Sequence, residues 1–267
     1  MNQPRRLDIC IAAYGADGLR RILQLGHPRV PGVRYIVGWQ RGEAPMTAIP
    51  EELRSRDDFM IIPSDTRGLG LNRSIALERA TADIVLISDD DINYRPEYLE
   101  RVMQAFDERP DFGFITFRYH SDCNPREYPD YEFDFTERPK DYFFGGPEIA
   151  FRLAPVREAG ITFDARFGVG AEFPSGEDDL FVNAMLKAGI RGCFVPLTIA
   201  DHEHTSTAMR MDGTPSFIRV KGAVHSIIHP HTWPLRMITH SLRHKGGLAS
   251  RIRYCKAWLS GVTDLRK

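Results

Sequence analysis

Short apolar runs alternate with stretches of helical spacing through the first half of the chain, the pattern of a mainly parallel sheet covered by helices. Residues 7–13 (LDICIAA) predict a first strand that ends at Tyr14-Gly15, and residues 17–25 predict a short helix with Asp17 near its N-terminus. Residues 33–38 (VRYIVG) predict a second strand, and a polar, proline-containing stretch over 40–58 separates it from a short third strand at 59–62, closed by Pro63. Residues 69–80 (LGLNRSIALERA) carry Leu71, Ile75 and Leu77 at helical spacing and lead into 84–88 (IVLIS), the strongest strand of all. Pro96 opens a further helix to residue 106, at a first-turn position where proline is tolerated.

The second half is less regular. Residues 112–119 (FGFITFRY) predict a strand, 155–159 and 178–188 short helices, and 191–195 another strand. The long polar and aromatic stretch over 124–141 shows little periodicity, and a loop of that length in a compact protein is usually functional. No internal repeat or low-complexity tract is present.

At 267 residues the chain can bury a substantial core, and one large α/β domain fits this length. With 35 Lys plus Arg against 36 Asp plus Glu, overall charge names no partner. No apolar run reaches the roughly 18 to 20 residues needed to span a bilayer. The start MNQPRRLDICIAAYG passes directly into a strand pattern without a cleavable signal region, so the expected location is the cytoplasm. Cys10, Cys123, Cys193 and Cys255 are far apart and form no C-x-x-C pair, which argues for reduced, packing cysteines over a zinc ribbon or redox motif.

The chemistry concentrates after the apolar run at 84–88. A strand of this kind is buried on both faces in the middle of a sheet, and ligands of open parallel sheets bind beyond the strands' carboxyl ends. Asp89, Asp90 and Asp91 follow directly. Three adjacent like charges suit a solvated loop, or a site where a divalent cation offsets their repulsion. Mg²⁺ or Mn²⁺ fits oxygen ligands of this type, with substrate phosphates completing the coordination, which implies a diphosphate ligand.

Farther along, Glu177, Asp178 and Asp179 follow a Gly-rich segment (FGVGAEFPSGEDD), where first-turn carboxylates are favoured by the helix dipole. The cluster Asp201-His202-Glu203-His204 places two imidazoles and two carboxylates after a strand, a density that suits a metal ligand better than a lone histidine would.

Residues 68–99 (GLGLNRSIALERATADIVLISDDDINYRPEYL), with the D-x-D of Asp89 and Asp91, resemble the donor-binding core of the inverting GT-A glycosyltransferases of family 2. The resemblance implies the α/β GT-A fold, a mainly parallel central sheet flanked by helices, over residues 1–235. Within it, 1–120 would bind the nucleotide-diphosphate sugar donor and 121–235 would serve catalysis and the acceptor. It further implies that Asp89 faces the nucleoside and Asp91 a Mn²⁺ or Mg²⁺ ion, with Asp90 beside them at the donor. Ala13 and Tyr14 match the family's first strand end, although Gly15 stands where Asn is usual. Asp65 lies in a second carboxyl-end loop suited to a nucleobase, and Arg73 matches an arginine that faces the nucleotide; an ion pair is its structural alternative. In the same family an E-D pair supplies the base, which assigns that role to Asp178 with Glu177 in support. A histidine often completes the metal site, and His202 fits the spacing better than His204. The acceptor implied is the hydroxyl of a carbohydrate or lipid-linked saccharide, in bacterial surface polysaccharide or glycoconjugate synthesis.

From residue 236 to 267 the chain carries eight Lys or Arg and one acidic residue, Asp264, interleaved with Leu242, Leu248, Ile252, Tyr254, Trp258 and Leu259. This basic helical tail suits either peripheral contact with an anionic membrane or packing on the domain. No nucleic-acid-binding motif accompanies the charge, so nucleic acid is not an expected partner. Two other functions remain: nucleotidyl transfer to a sugar phosphate, for which the first loop lacks a Gly-rich Lys/Arg signature, and non-catalytic binding of a nucleotide sugar, which would need no base at Asp178.

Overall fold

The computed structural model describes residues 6–123, 125–140, 142–202 and 213–266. The central element is a nine-stranded sheet in the order β3-β2-β1-β4-β8-β6-β9-β5, with β7 paired to β9. Its strands are β1 (Leu7–Tyr14), β2 (Val33–Gln40), β3 (Phe59–Ser64), β4 (Ile84–Asp89), β5 (Ile92–Asn93), β6 (Phe114–His120), β7 (Phe133–Asp134), β8 (Ile149–Arg152) and β9 (Gly192–His202). β1 to β4 form a parallel block, and β6 and β9 run in the same direction beyond the antiparallel β8. The sheet is therefore mixed but mostly parallel, as the apolar runs predict. Every residue of β2 is buried, as are all of β1 but Tyr14 and all of β4 but Asp89. Double-sided burial by helices is what selects such continuous apolar runs.

One polar pair lies inside this block. Asp8 and Arg34, both nearly inaccessible, are joined by two hydrogen bonds of 2.8 and 2.7 Å across β1 and β2. Asp8 also accepts from the backbone N–H groups of Thr81 and Ala82, which ties the turn before β4 to the same carboxylate. Satisfied in this way, the charges set the register of the strands that carry the site.

The helices are α1 (Gly15–Leu25), α2 (Glu51–Arg54), α3 (Leu69–Glu78), α4 (Pro96–Glu108), α5 (Leu153–Glu158) and α6 (Glu177–Lys187), followed by α7 (Pro215–Ile228), α8 (Trp233–Arg243) and α9 (Leu248–Leu265). Four strands depart from the sequence pattern. β5 falls at residues 92–93, where no element is predicted. β8 has only four residues and passes directly into α5, so it shows no period. β9 runs eleven residues through Pro196 to His202, whereas the apolar pattern predicts an end at residue 195. β7 lies in the stretch expected to be loop, where Phe133, Phe135 and Tyr142 pack on one another and Phe133 stacks on Phe194 of β9. All four cysteines are free, with Cys10 and Cys193 buried and Cys123 exposed.

The chain divides into two compact units: Met1–Arg67, Leu71–Thr162 and Ala184–His204 make the first, and Gly68–Gly70, Phe163–Asn183 and Thr205–Lys267 the second. The first holds the sheet and its core. In the second, Phe167, Phe173, Leu180, Val220, Ala223 and Val224 form one apolar cluster and Ile218, Tyr254, Trp258 and Val262 another. α7 and α9 cross with backbones nearly touching: a Cβ on Gly222 would lie 2.1 Å from the Trp258 carbonyl oxygen, and one on Gly261 would lie 1.9 Å from that of Arg219.

Candidate active site

In the first unit, strand register brings the carboxyl ends of the parallel block into line. Ala12 lies opposite Asp89, Tyr14 opposite Gln40, and Gln40 opposite Ser64. The donor residues expected from sequence, Ala13, Tyr14, Asp65 and Asp89, thus share one sheet edge. Ala13 is buried, and its carbonyl accepts from Asn72 Nδ2 of α3 at 3.2 Å. Tyr14 is 57% exposed, so it is not a core packing residue. Gly15 has φ of 63°, the left-handed region that glycine and asparagine tolerate best. Asp65 is exposed and pairs with Arg41, while Ser64 and Thr66 hydroxyls meet at 2.7 Å in the same loop.

The three consecutive carboxylates have different partners. Asp89 ends β4 and accepts from Arg73 Nη2 at 3.0 Å. Arg73 is 2% exposed, and its guanidinium fills the space that Gly146 leaves: a Cβ there would fall 2.2 Å from Nη2. Asp90 turns to α1, where Arg21 donates to both of its oxygens at 3.1 and 2.7 Å. Burial raises the Asp90 pKa, against the lowering effect of Arg21. Asp90, expected among the donor contacts, thus has its carboxylate committed to Arg21.

Asp91 follows in the tight turn into β5. That strand pairs with the end of β9, Ile92 opposite His202, which carries the imidazole to Asp91 across 111 residues of sequence. His202 Nε2 lies 3.3 Å from Asp91 Oδ2. Burial disfavours the imidazolium, but Asp91, with Asp89 and Glu148 beyond it, outweighs this and raises the His202 pKa. The neighbouring Asp201 is held elsewhere, accepting from Arg95 Nε at 3.0 Å and from Tyr98 at 3.4 Å. Glu203 and His204, the alternative ligand, lie outside the described residues.

The oxygen and nitrogen donors of Asp91 and His202 suit Mg²⁺ or Mn²⁺. Among the described residues no three His, Cys, Asp or Glu side chains form a preformed cage.

Two further groups escaped sequence reasoning. Glu148 is completely buried, accepts from Arg126 Nη1 at 2.8 Å and from the Gly145 N–H, and burial pushes its pKa up to about 7. Tyr119 meets the His202 ring edge-on at 5.4 Å between centroids. Nothing local marks Glu148 or its partner: Glu148 stands in an aperiodic GGPE segment, and Arg126 lies in the stretch expected to be loop. Their pair anchors that stretch beside Gly145 and Gly146.

The Gly146 cradle has a measurable consequence. Gly146→Ala should displace the Arg73 guanidinium and loosen Asp89, raising the KM for donor by about 10-fold, the equivalent of roughly one charge-assisted hydrogen bond. Steady-state kinetics at saturating acceptor test this; an unchanged KM would show that the Arg73–Asp89 pair does not shape donor affinity.

In the second unit, Glu177, Asp178 and Asp179 form the first turn of α6. Glu177 is buried, Asp178 half-buried and Asp179 exposed. The structure thus separates three residues that look equivalent in sequence, and a solvated helix-start role suits Asp179 best.

Residues 47–162 match the model of the family described as Glycosyl transferase family 2. That span contains Asp65, Arg73 and Asp89 to Asp91, and ends before Asp178 and His202. Among solved structures, residues 1–349 of S. aureus TarS in complex with UDP-GlcNAc superpose with TM-score 0.66 at 17% identity, covering 96% of this chain and 81% of that one. S. aureus TarS itself gives TM-score 0.63 at 16% identity and covers 96% of this chain, which spans 49% of that longer protein. The mannosyltransferase PcManGT from Pyrobaculum calidifontis, in complex with GDP-Man and Mn²⁺, gives TM-score 0.55 at 14% identity over 99% of this chain and 73% of that one. No curated protein sequence matches the chain significantly.

Proposed function

We propose metal-dependent, inverting sugar transfer to a hydroxyl acceptor for this chain, which is a member of glycosyl transferase family 2 with a GT-A-like fold and uses a nucleotide-sugar donor. The observation that carries the reading is the 3.3 Å approach of His202 to Asp91 beside an Asp89 held by Arg73. Asp91 and His202 would hold Mn²⁺ or Mg²⁺, which would offset the charge that develops on the departing diphosphate. Asp89, Ala13, Tyr14 and Asp65 contact the nucleoside, and Arg73 adds fixed positive charge towards the phosphates. Asp90 supports the site indirectly, since its pair with Arg21 fastens the Asp89–Asp91 turn to α1. The PcManGT complex, which contains GDP-Man and Mn²⁺, supports the choice of ion.

On the acceptor side, Asp178 takes the hydroxyl proton as the acceptor oxygen attacks the anomeric carbon. The bond from that carbon to the diphosphate oxygen breaks, its electron pair leaves with the nucleotide, and the configuration inverts. Glu177 helps to place Asp178. The acceptor is a carbohydrate or lipid-linked saccharide, and the stretch at 125–140 anchored by Arg126 and Glu148 contributes to its selection. One catalytic domain spans 1–235, divided at 120/121, and is followed by a basic tail over 236–267.

Nucleotidyl transfer is the weaker reading, because residues 12–18 lack a Gly-rich, Lys- or Arg-containing signature and the nearby cations of α1 are paired, Arg20 with Asp17 and Arg21 with Asp90. A panel of UDP-, GDP- and dTDP-sugars, assayed with Mn²⁺ or Mg²⁺ for thermal stabilisation and release of free sugar, tests the proposal. One nucleotide should stabilise the protein and release sugar, both lost in excess EDTA. Stabilisation without sugar release under any condition would make the protein a binder, and release unaffected by EDTA would remove the metal.

A further inference from the structure

Six of the large apolar side chains exposed on the described surface lie between residues 235 and 259: Leu235 (63%), Ile238 (49%), Leu242 (59%), Leu248 (76%), Ile252 (47%) and Leu259 (41%). Their spacing is regular. On α8 the first three stand at i, i+3 and i+7, and on α9 the others stand at i, i+4 and i+11, so each set makes one stripe along its helix. Packing within the fold does not account for these stripes. α9 already buries a separate face, Tyr254, Trp258, Gly261 and Val262, about 100° around the helix from the exposed one. The helix therefore carries two apolar faces, one filled by α7 and one turned to solvent.

Charge indicates what covers the second face. Arg243, Lys245, Arg251, Arg253 and Lys256 lie on or between these helices, and none has a carboxylate within salt-bridge distance among the described residues. The one acidic residue of the segment, Asp264, is held by Arg219 at 2.9 Å. On α9, the exposed Lys256 borders the Leu248–Ile252–Leu259 stripe on one side, while the half-buried Arg251 lies on the other, towards the packed face. A second copy of this chain would set the same cations against each other. Nucleic acid would meet the cations but gain nothing from a Leu/Ile stripe, where stacking aromatics are the useful groups. A surface with anionic headgroups above an apolar layer satisfies both features, because leucine and isoleucine enter the acyl boundary while arginine and lysine meet the headgroups.

We propose that α8 and α9 form a docking surface that seats the enzyme on an anionic lipid bilayer. No helix of the described residues is long and apolar enough to cross a membrane, so attachment would be interfacial and reversible. Such seating places the catalyst where a lipid-linked acceptor is concentrated. The surface itself rests on the exposed stripes and unpaired cations and not on the catalytic assignments.

The test is co-sedimentation of the full chain, without donor or metal, with phosphatidylcholine vesicles and with vesicles containing about 30% phosphatidylglycerol. Binding to the anionic vesicles should exceed that to neutral ones by at least about 10-fold and fall towards the neutral level in 1 M NaCl. Ile238→Asp/Leu242→Asp and Arg253→Glu/Lys256→Glu should each abolish most of the binding while leaving thermal unfolding and metal-dependent donor hydrolysis unchanged, since all four side chains are exposed. Leu248→Trp places a fluorescent reporter on the most exposed position of the α9 stripe, and its emission should shift to the blue only with anionic vesicles. Equal binding to both lipids, absence of binding, or a dimer in solution that Ile238→Asp/Leu242→Asp dissociates would each overturn the proposal. The donor-hydrolysis readout is independent, so loss of catalysis and loss of lipid binding are told apart.

Discussion

Asp178→Asn is expected to lower sugar transfer by about 10²- to 10⁴-fold, the usual contribution of a positioned general base. Asn keeps the size of the side chain and much of its hydrogen bonding, so thermal unfolding should stay near that of the native protein. The amide cannot take the acceptor proton, and the barrier for attack rises. Donor affinity should barely change, since the base acts on the acceptor side of the reacting carbon and not on the diphosphate. The two neighbours are internal controls. Asp179 is exposed at the helix start, so Asp179→Asn should cost little, whereas Glu177, buried in the same turn, should affect transfer through the placement of Asp178. Initial rates for the three variants, with donor binding measured by titration calorimetry, check this. Near-native transfer in Asp178→Asn would move the base to Glu177 or Asp179, and intact transfer in all three would leave the acidic turn a plain helix start.

Asp91→Ala is expected to remove the metal requirement together with the activity. Of the three carboxylates it is the one paired with His202, and its loss leaves the imidazole as the only side chain of that pair. Transfer should fall by at least about 10²-fold, the scale on which loss of a preorganised charge at a leaving group is felt. Donor affinity in Mn²⁺ should drop to the level the native protein shows in EDTA. His202→Ala retains the carboxylate, so the same metal titration should give a higher half-saturating concentration with measurable maximal activity. Metal-dependent donor binding that survives Asp91→Ala would place the ion elsewhere.

The parallel block and its carboxylates were legible in the sequence because their signals are local. A strand buried on both faces must be apolar throughout, so residues 84–88 announce a central strand, and the three aspartates that follow are carried to its carboxyl end by chain connectivity alone. The first strand, the helix carrying Arg73 and the acidic turn at 177–179 were readable for the same reason, and the family resemblance attached roles to them. β8 was not readable, since four residues leading straight into a helix have no period. Nor was the extent of β9, because Pro196 interrupts the pattern and the pairing with β6 and β5 that continues the strand lies far away in sequence.

Composition and periodicity by themselves determined the α/β class, the strand ends at which the three aspartates are gathered, and the residue types available there. Only the tertiary structure decided how these residues are partnered: Asp90 with Arg21 across 69 positions, Asp91 with His202 across 111, Arg73 in the space left by Gly146, and Arg126 with a wholly buried Glu148. The same holds for the tail, whose helices combine a face packed within the fold and a face open to solvent. The physical reason is common to all of them. Hydrophobic patterning states that a residue prefers burial, and a run of charge states that it needs a partner. Which partner arrives depends on strand order and register, which are set by the packing of the whole sheet.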